Sequence, residues 1–264
     1  MISDADQDNA DQDNVQHTVD PADRCVVHLY HATTSTQAPG AIEQCCAQWL
    51  APSEIERANQ FRRLTNRNQH VVGRGMARRL LGDVNVAPEQ IEFDQGTNGK
   101  PYVVAPDAAK QPFNIAHTDG LVVCGLGNAP IDLVGVDVER LSRRTSTELA
   151  ERYFSEPEVR YVRSKPTEEQ REAFLKVWTL KESFIKAIGT GLQTPLADFA
   201  FREIDSGRPV IEMLSPALRS PHYWQFFSVS PRPGYVGAIA VAMQVPPANL
   251  DVSLRCFDDM VTIS

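Results

Sequence analysis

Phe113-Asn114-Ile115-Ala116-His117-Thr118-Asp119-Gly120-Leu121-Val122-Val123-Cys124-Gly125-Leu126-Gly127-Asn128-Ala129-Pro130-Ile131-Asp132-Leu133-Val134-Gly135-Val136-Asp137-Val138-Glu139 reads as three strands in succession. Phe113–Ala116 and Leu121–Leu126 are short apolar runs joined across His117-Thr118-Asp119-Gly120, and Gly127-Asn128-Ala129-Pro130 turns the chain into Ile131–Glu139. Apolar, β-branched runs bounded by Gly, Asn, Asp and Pro are strand signals, and connections this short suit antiparallel neighbours. In the third run Leu133, Gly135, Asp137 and Glu139 alternate with Asp132, Val134, Val136 and Val138. Two carboxylates therefore project from one face of a strand.

Outward from this stretch the period changes. Upstream, Cys25–His31 has β character and Glu43–Leu50 looks helical. Pro52-Ser53 starts another helix, with Ser53 and Glu56 at capping-box spacing. Asn66 or Asn68 caps a third, whose stripe Val71, Val72, Met76, Leu80 and Leu81 runs to Gly82. Asn98-Gly99 is a tight-turn pair ahead of Lys100-Pro101 and the run Tyr102–Val104. Downstream of Arg140, Thr145 or Ser146 and then Ser155 are helix caps, and Thr167 opens the longest helix, ending near Gly189. Strands return at Phe199–Arg202, Val210–Met213, His222–Val229, Tyr235–Met243 and Val252–Cys256. Helices and antiparallel strands in both halves make the fold class α+β. No internal repeat is visible in the residues themselves.

Composition narrows the function classes. The 264-residue chain carries a net charge of -8, of which residues 1–24 hold -6, with seven Asp against one Arg. That acidic stretch reads as a disordered tail. The near-neutral remainder is not the basic surface of a general nucleic-acid binder. One stretch runs against the trend: Arg57, Arg62, Arg63, Arg67, Arg74, Arg78 and Arg79 occur with no acid between 57 and 80. The apolar runs are too short to span a bilayer, and the N-terminus has no apolar signal core, so a cytoplasmic location with no membrane partner is expected. Cys25, Cys45, Cys46, Cys124 and Cys256 lack metal-clip spacing and are expected as free thiols.

Several residues could carry chemistry. Asp137 and Glu139 are either the polar side of a half-buried strand or a hard-cation site, since Mg2+ takes few carboxylates and completes its shell with substrate phosphates. Glu182 and Lys186 share one helix face, with Lys181 adjacent and Trp178 one turn earlier. They decorate a surface, or they add a third carboxylate and a cation for metal-assisted transfer at phosphorus. The arginines of 57–80 are an exposed helical face or phosphate forks. His117 at its turn and Lys100 after Asn98-Gly99 are structural or solvated residues when taken singly. Neither GxxxxGK[ST] nor GxGxxG is present, so P-loop and Rossmann readings lack support.

Order changes the weight of these pieces. Gly99-Lys100-Pro101, then Phe113-Asn114-Ile115-Ala116-His117, then Gly135-Val136-Asp137-Val138-Glu139, then Trp178-Thr179-Leu180-Lys181-Glu182-Ser183-Phe184-Ile185-Lys186-Ala187-Ile188-Gly189 resembles the Sfp-type 4'-phosphopantetheinyl transferases, whose pattern is roughly GKP, FNxSH, GxDxE and WxxKESxxKxxG. Glu56-Arg57-Ala58-Asn59-Gln60-Phe61 extends the match, which covers about 25–245. The resemblance implies two similar α+β halves related by a pseudo-twofold, here about 25–130 and 131–250, with 251–264 as a closing strand and tail. It implies transfer of the phosphopantetheine arm of coenzyme A to a serine of an apo acyl or peptidyl carrier protein, with Mg2+ and release of adenosine 3',5'-bisphosphate. It implies Asp137, Glu139 and Glu182 as metal ligands, with Glu182 also the general base. Lys186 would assist the leaving group, and His117, with Thr118 beside it, would bind a coenzyme A phosphate. Lys100 and Pro101 would lie near the adenine nucleotide, Arg57 on a phosphate, and the protein would be a monomer.

One departure stands out: Ala116 replaces the family's usual Ser, removing a hydroxyl that could reach a coenzyme A phosphate. Two other readings compete. A non-catalytic coenzyme A or carrier-protein binding module would not need all three carboxylates and Lys186. A metal-dependent nuclease uses similar residues but is disfavoured by the near-neutral body.

Overall fold

The structure, a computed structural model, describes residues 25–261 other than 84 and 248. The acidic stretch 1–24, expected to be disordered, lies outside the described residues. Strand β1 (Cys25–Thr33) leads into helices α1 (Ala41–Ala47), α2 (Pro52–Asn59) and α3 (Leu64–Leu81), a small hairpin β2 (Glu92–Gln95) and β3 (Pro101–Ala105), and strands β4 (Phe113–Thr118) and β5 (Leu121–Gly127). The same succession then recurs. Strand β6 (Ile131–Arg140) is followed by α4 (Leu149–Tyr153), α5 (Glu156–Arg163) and α6 (Thr167–Ile188), a small hairpin β7 (Phe199–Arg202) and β8 (Val210–Met213), and strands β9 (Tyr223–Val229) and β10 (Tyr235–Met243). Strand β11 (Leu250–Cys256) and α7 (Asp258–Val261) close the chain.

Pairing repeats too. One sheet runs β11-β1-β5-β4 and the other β6-β10-β9, so in each half the first strand pairs with the last and the last with the one before it. The repeat was invisible in the sequence because period and turns fix topology, whereas residue identity is free to drift. Strand β11 joins β1 in parallel, from Cys25 opposite Leu250 to His31 opposite Cys256. The end of the chain thus returns to the first half's sheet.

The alternating strands bury their faces against each other: Val27, Leu29, Val123, Val136, Val138, Ile239 and Val241 form one apolar layer. Helix α3 packs Val72 and Met76 over the first sheet, and α6 packs Phe184 against Phe199 and Phe226. β4 docks on β6 through a buried side-chain contact, where Asn114 Oδ1 accepts the Val136 N–H at 2.9 Å.

Local signals set some element ends and not others. Gly189, at φ 72°, ends α6 in the left-handed conformation that glycine adopts without a Cβ clash. Ser155 meets its capping-box partner, its N–H reaching Glu158 Oε2 at 3.0 Å. Ser53 does not cap. Pro52 already occupies the first helical position, and the Ala51 N–H is taken by Glu54 Oε2 at 3.0 Å. Neither Asn66 nor Asn68 caps α3, which starts at Leu64. Asn68 is buried one turn inside, where its amide holds the carbonyls of Ser35 and Gln37. Strand β2 carries little strand signal because Glu92-Phe93-Asp94-Gln95 is mostly polar.

Candidate active site

The carboxylate wall is built by laying α6 directly on β6. A Cβ at Gly135 would stand 2.8 Å from Ala187 Cβ and would overlap Ser183 O and the Ala187 N–H. Only glycine admits the helix there. The next residues along that face of β6, Asp137 and Glu139, consequently rise beside Glu182 and Lys186 of α6. Lys186 Nζ donates to Asp137 Oδ1 at 2.6 Å. Asp137 Oδ2 is buried without a partner. Glu139 is ion-paired with Arg143 and accepts the Thr118 hydroxyl at 3.3 Å. Thr118 thus reaches the acidic wall from the end of β4.

Burial decides the electrostatics. It pushes the Asp137 and Glu182 carboxyls above their usual range and takes Glu139 up to about 7, with Asp137's negative charge adding to both neighbours. Burial alone would lower Lys186, but Asp137, Glu182 and Glu139 together outweigh it and hold that ammonium above its ordinary value. Among the described residues no three carboxylate, imidazole or thiol groups converge as a ready metal cluster. The donor set still fits a hard cation: the buried, unpartnered Asp137 Oδ2 stands beside two further carboxyls, and burial raises all three.

The first half contributes cationic side chains nearby. A cleft of about 710 Å3 is lined by Arg57, His70, Arg74, Phe93, Pro101 and His117 among others. His117 lies below its usual pKa through burial, then through the nearby Lys186 and His70. Arg57 stacks over Phe61, its guanidinium carbon 5.4 Å from the ring centre. Arg74, 5.2 Å above the Phe93 ring, keeps a buried Nη1 without a hydrogen-bond partner. A second cleft of about 410 Å3 shares Pro101 with the first and adds Lys100, Trp178, Glu182 and Lys186. A third, of about 440 Å3, shares His117 with the first and adds Thr118, Glu139, Arg140, Arg143 and Arg144.

The structure therefore gathers Arg57, Pro101, His117, Thr118, Glu139, Glu182 and Lys186 along clefts that share residues, with Asp137 bonded to Lys186 behind them. It places other candidates differently. Lys100 lines the second cleft, but its ammonium donates to Val134 O and Ala187 O, both at 2.9 Å, and faces those carbonyls. Ala116 is 2% exposed in the inter-sheet core, on the opposite side of β4 from His117, so a hydroxyl there would not face a ligand. Arg78 is also structural, holding Glu54, Pro88 O and Ile91 O. Lys181 is fully buried beneath α6, bonded to Glu158, Leu196 O and Phe199 O at 2.7 Å each. Arg74 and Arg143 had no sequence signal separating them from their basic neighbours.

Carboxylates, a lysine, arginines and a histidine around adjoining clefts are the equipment of a group-transfer enzyme working at phosphate. Comparison with known proteins gives the family. Residues 133–240 match the 4'-phosphopantetheinyl transferase superfamily, and 41–126 match the N-terminal region of 4'-phosphopantetheinyl transferases. The chain is 31% identical over 221 residues to the 4'-phosphopantetheinyl transferase HetI of a Nostoc species, covering 82% of this chain and 87% of that one. It is 29% identical over 214 residues to the 4'-phosphopantetheinyl transferase Sfp of Bacillus subtilis, covering 81% and 90%. A solved holo-[acyl-carrier-protein] synthase from Thermotoga maritima superposes on 44% of this chain and 65% of its own with a TM-score of 0.37 and 28% identity. The chain belongs to the 4'-phosphopantetheinyl transferases, enzymes that move phosphopantetheine onto carrier proteins. Among the described residues no helix is long and apolar enough to cross a membrane.

Proposed function

We propose that this enzyme transfers the 4'-phosphopantetheine arm of coenzyme A to a serine of an apo acyl or peptidyl carrier protein in a Mg2+-dependent reaction that releases adenosine 3',5'-bisphosphate. The observation that carries the reading is the buried carboxylates Asp137 and Glu139 and the half-buried Glu182 beside Lys186, next to clefts that share residues with the one lined by Arg57, Arg74 and His117. Asp137 and Glu182 would hold Mg2+, with Glu139 as a third ligand directly or through water. When bound, the cation would neutralise the charge of the diphosphate.

The protein's own residues account for the rest. A serine hydroxyl is a weak nucleophile until a base takes its proton, and a carboxyl raised above its usual range is a stronger base. Glu182 accepts that proton as the serine oxygen bonds to the pantetheine-side phosphorus. The bond from that phosphorus to the bridging oxygen breaks, and the electron pair leaves with adenosine 3',5'-bisphosphate. Lys186 stabilises the charge developing on this leaving group. His117, Arg57 and Arg74 bind phosphates of coenzyme A, and Pro101 borders the nucleotide. The reading includes a cytoplasmic monomer, in keeping with five free cysteines.

The test is intact-protein mass spectrometry of several apo carrier proteins incubated with the enzyme, coenzyme A and Mg2+. A gain of one phosphopantetheine, lost with chelator, is expected. If no carrier gains it while the enzyme is folded and binds coenzyme A, the proposal is wrong.

A further inference from the structure

Lys100 stands apart from the cations that face the ligand clefts. It is carried on the β2–β3 connection of the first half, yet both of its observed partners are backbone oxygens of the second: Val134 O in β6 and Ala187 O in the last turn of α6. Carbonyls in a helix's final turn have no intrahelical donor, and the negative end of the helix dipole favours a cation there. Asn98 adds a second tie two residues earlier, its Nδ2 donating to Gly189 O at 2.9 Å. The two ties clasp the end of α6 where the helix rests on Gly135, with no Cβ between helix and strand. Ala187 directly follows Lys186, and Glu182 is one turn earlier. On the other side of the same loop, Gly99 and Pro101 line the large cationic cleft.

We propose that Lys100 is a positioning residue: its ammonium latches the loop beside the nucleotide cleft onto the C-terminal end of α6, and so holds Glu182 and Lys186 in place over Asp137. This rests on the reading of the site as the place of phosphopantetheine transfer. It gives Lys100, expected near the adenine nucleotide, a role exerted through α6. The latch also gives the cationic cleft and the carboxylate wall a direct mechanical connection. Burial lowers the Lys100 ammonium to about 8, with no carboxylate paired to it among the described residues; Glu182 and Lys186 are the charged side chains sharing its cleft.

The test pairs Lys100→Met with Asn98→Ala, and adds Lys100→Arg, which keeps a cation. Lys100→Met is expected to lower kcat roughly tenfold to a hundredfold, as loss of positioning does, while KM for coenzyme A moves by less than about threefold. Asn98→Ala is expected to lower kcat by a smaller factor in the same direction. Wild-type kcat should decline above pH about 8, and in Lys100→Arg that decline should move to higher pH. A rise in KM with kcat preserved would make Lys100 a ligand contact and overturn the proposal, as would unchanged kinetics in both variants. Amide exchange over residues 183–189 gives a readout independent of the reaction. Faster exchange there in Lys100→Met, or in Asn98→Ala if Lys100→Met does not fold, supports the latch even if no carrier is modified. Unchanged exchange in a folded variant overturns it.

Discussion

Gly135→Ala tests whether the contact between α6 and β6 sets the active-site geometry. The added methyl would sit 2.8 Å from Ala187 Cβ and overlap Ser183 O and the Ala187 N–H. Carbon atoms pack at about 3.5–4.0 Å, so helix and strand must separate by roughly 1 Å. Neither neighbour can rotate away, because two of the clashing atoms are backbone. Overpacking of this kind costs about 1–3 kcal/mol. For a chain of this size that lowers Tm by roughly 2–12 °C. The separation also moves Glu182 and Lys186 away from Asp137 by about the same 1 Å, a displacement that can cost about 10^2 in rate. Calorimetry and single-turnover transfer at saturating coenzyme A and carrier measure the two effects. An alanine variant with wild-type Tm and wild-type turnover would refute the reasoning, since the helix would then have room that the packing denies it.

Three further outcomes follow from the same geometry. Glu182→Gln should lose about 10^2–10^4 in kcat by removal of the base, with coenzyme A affinity by calorimetry held within a few-fold. Lys181→Met leaves Glu158 as an unpaired, fully buried carboxylate and should cost about 3–5 kcal/mol in urea unfolding, with Glu158→Gln in the same chain recovering part of the loss. Glu139 titrates at about 7 when folded and near its ordinary, lower value when unfolded, so the native state binds the extra proton between those limits. Its contribution to stability therefore falls as pH rises toward about 7 and is level above that. Urea unfolding from pH 5 to 8 should show this slope in wild type and lack it in Glu139→Gln.

How much was legible in the sequence depends on whether a residue's role is local. The 113–139 strands, the Gly189 stop and the Asp137–Glu139 pair on one face follow from period, turn chemistry and backbone freedom. So does the sharing of a helix face by Glu182 and Lys186. Lys100, Lys181 and Ala116 could not be placed that way. Each lies in a motif, and a motif does not say whether a side chain points into a cleft or into the protein. Lys181 and Glu182 are adjacent in sequence but about a quarter-turn apart around α6. One enters a core with 0% exposure and the other borders the cleft. The basic run 57–80 shows the same limit. Arg78 is bound to Glu54 and two carbonyls, whereas Arg74, one turn earlier, keeps a nitrogen free.

The division of charge between the halves has a physical rationale. Arginine beside buried carboxylate forms a pair, and a pair has little left for a ligand. Glu54 illustrates this inside the first half, where it holds Arg78 at 2.7 Å and lies 3.5 Å from Arg74. Setting Asp137, Glu139 and Glu182 on β6 and α6, and Arg57 and Arg74 on α2 and α3, keeps these two sets of charge from pairing with each other. The cost is visible in raised carboxyls and a lowered histidine. A substrate with a diphosphate between two organic arms can relieve the cationic cleft at once, which makes binding and alignment the same event. Lys186 and Arg143 are exceptions, already paired with Asp137 and Glu139. In the proposed mechanism Lys186 acts only when charge develops on the leaving oxygen, so an ammonium held in place beforehand needs little reorganisation at that moment.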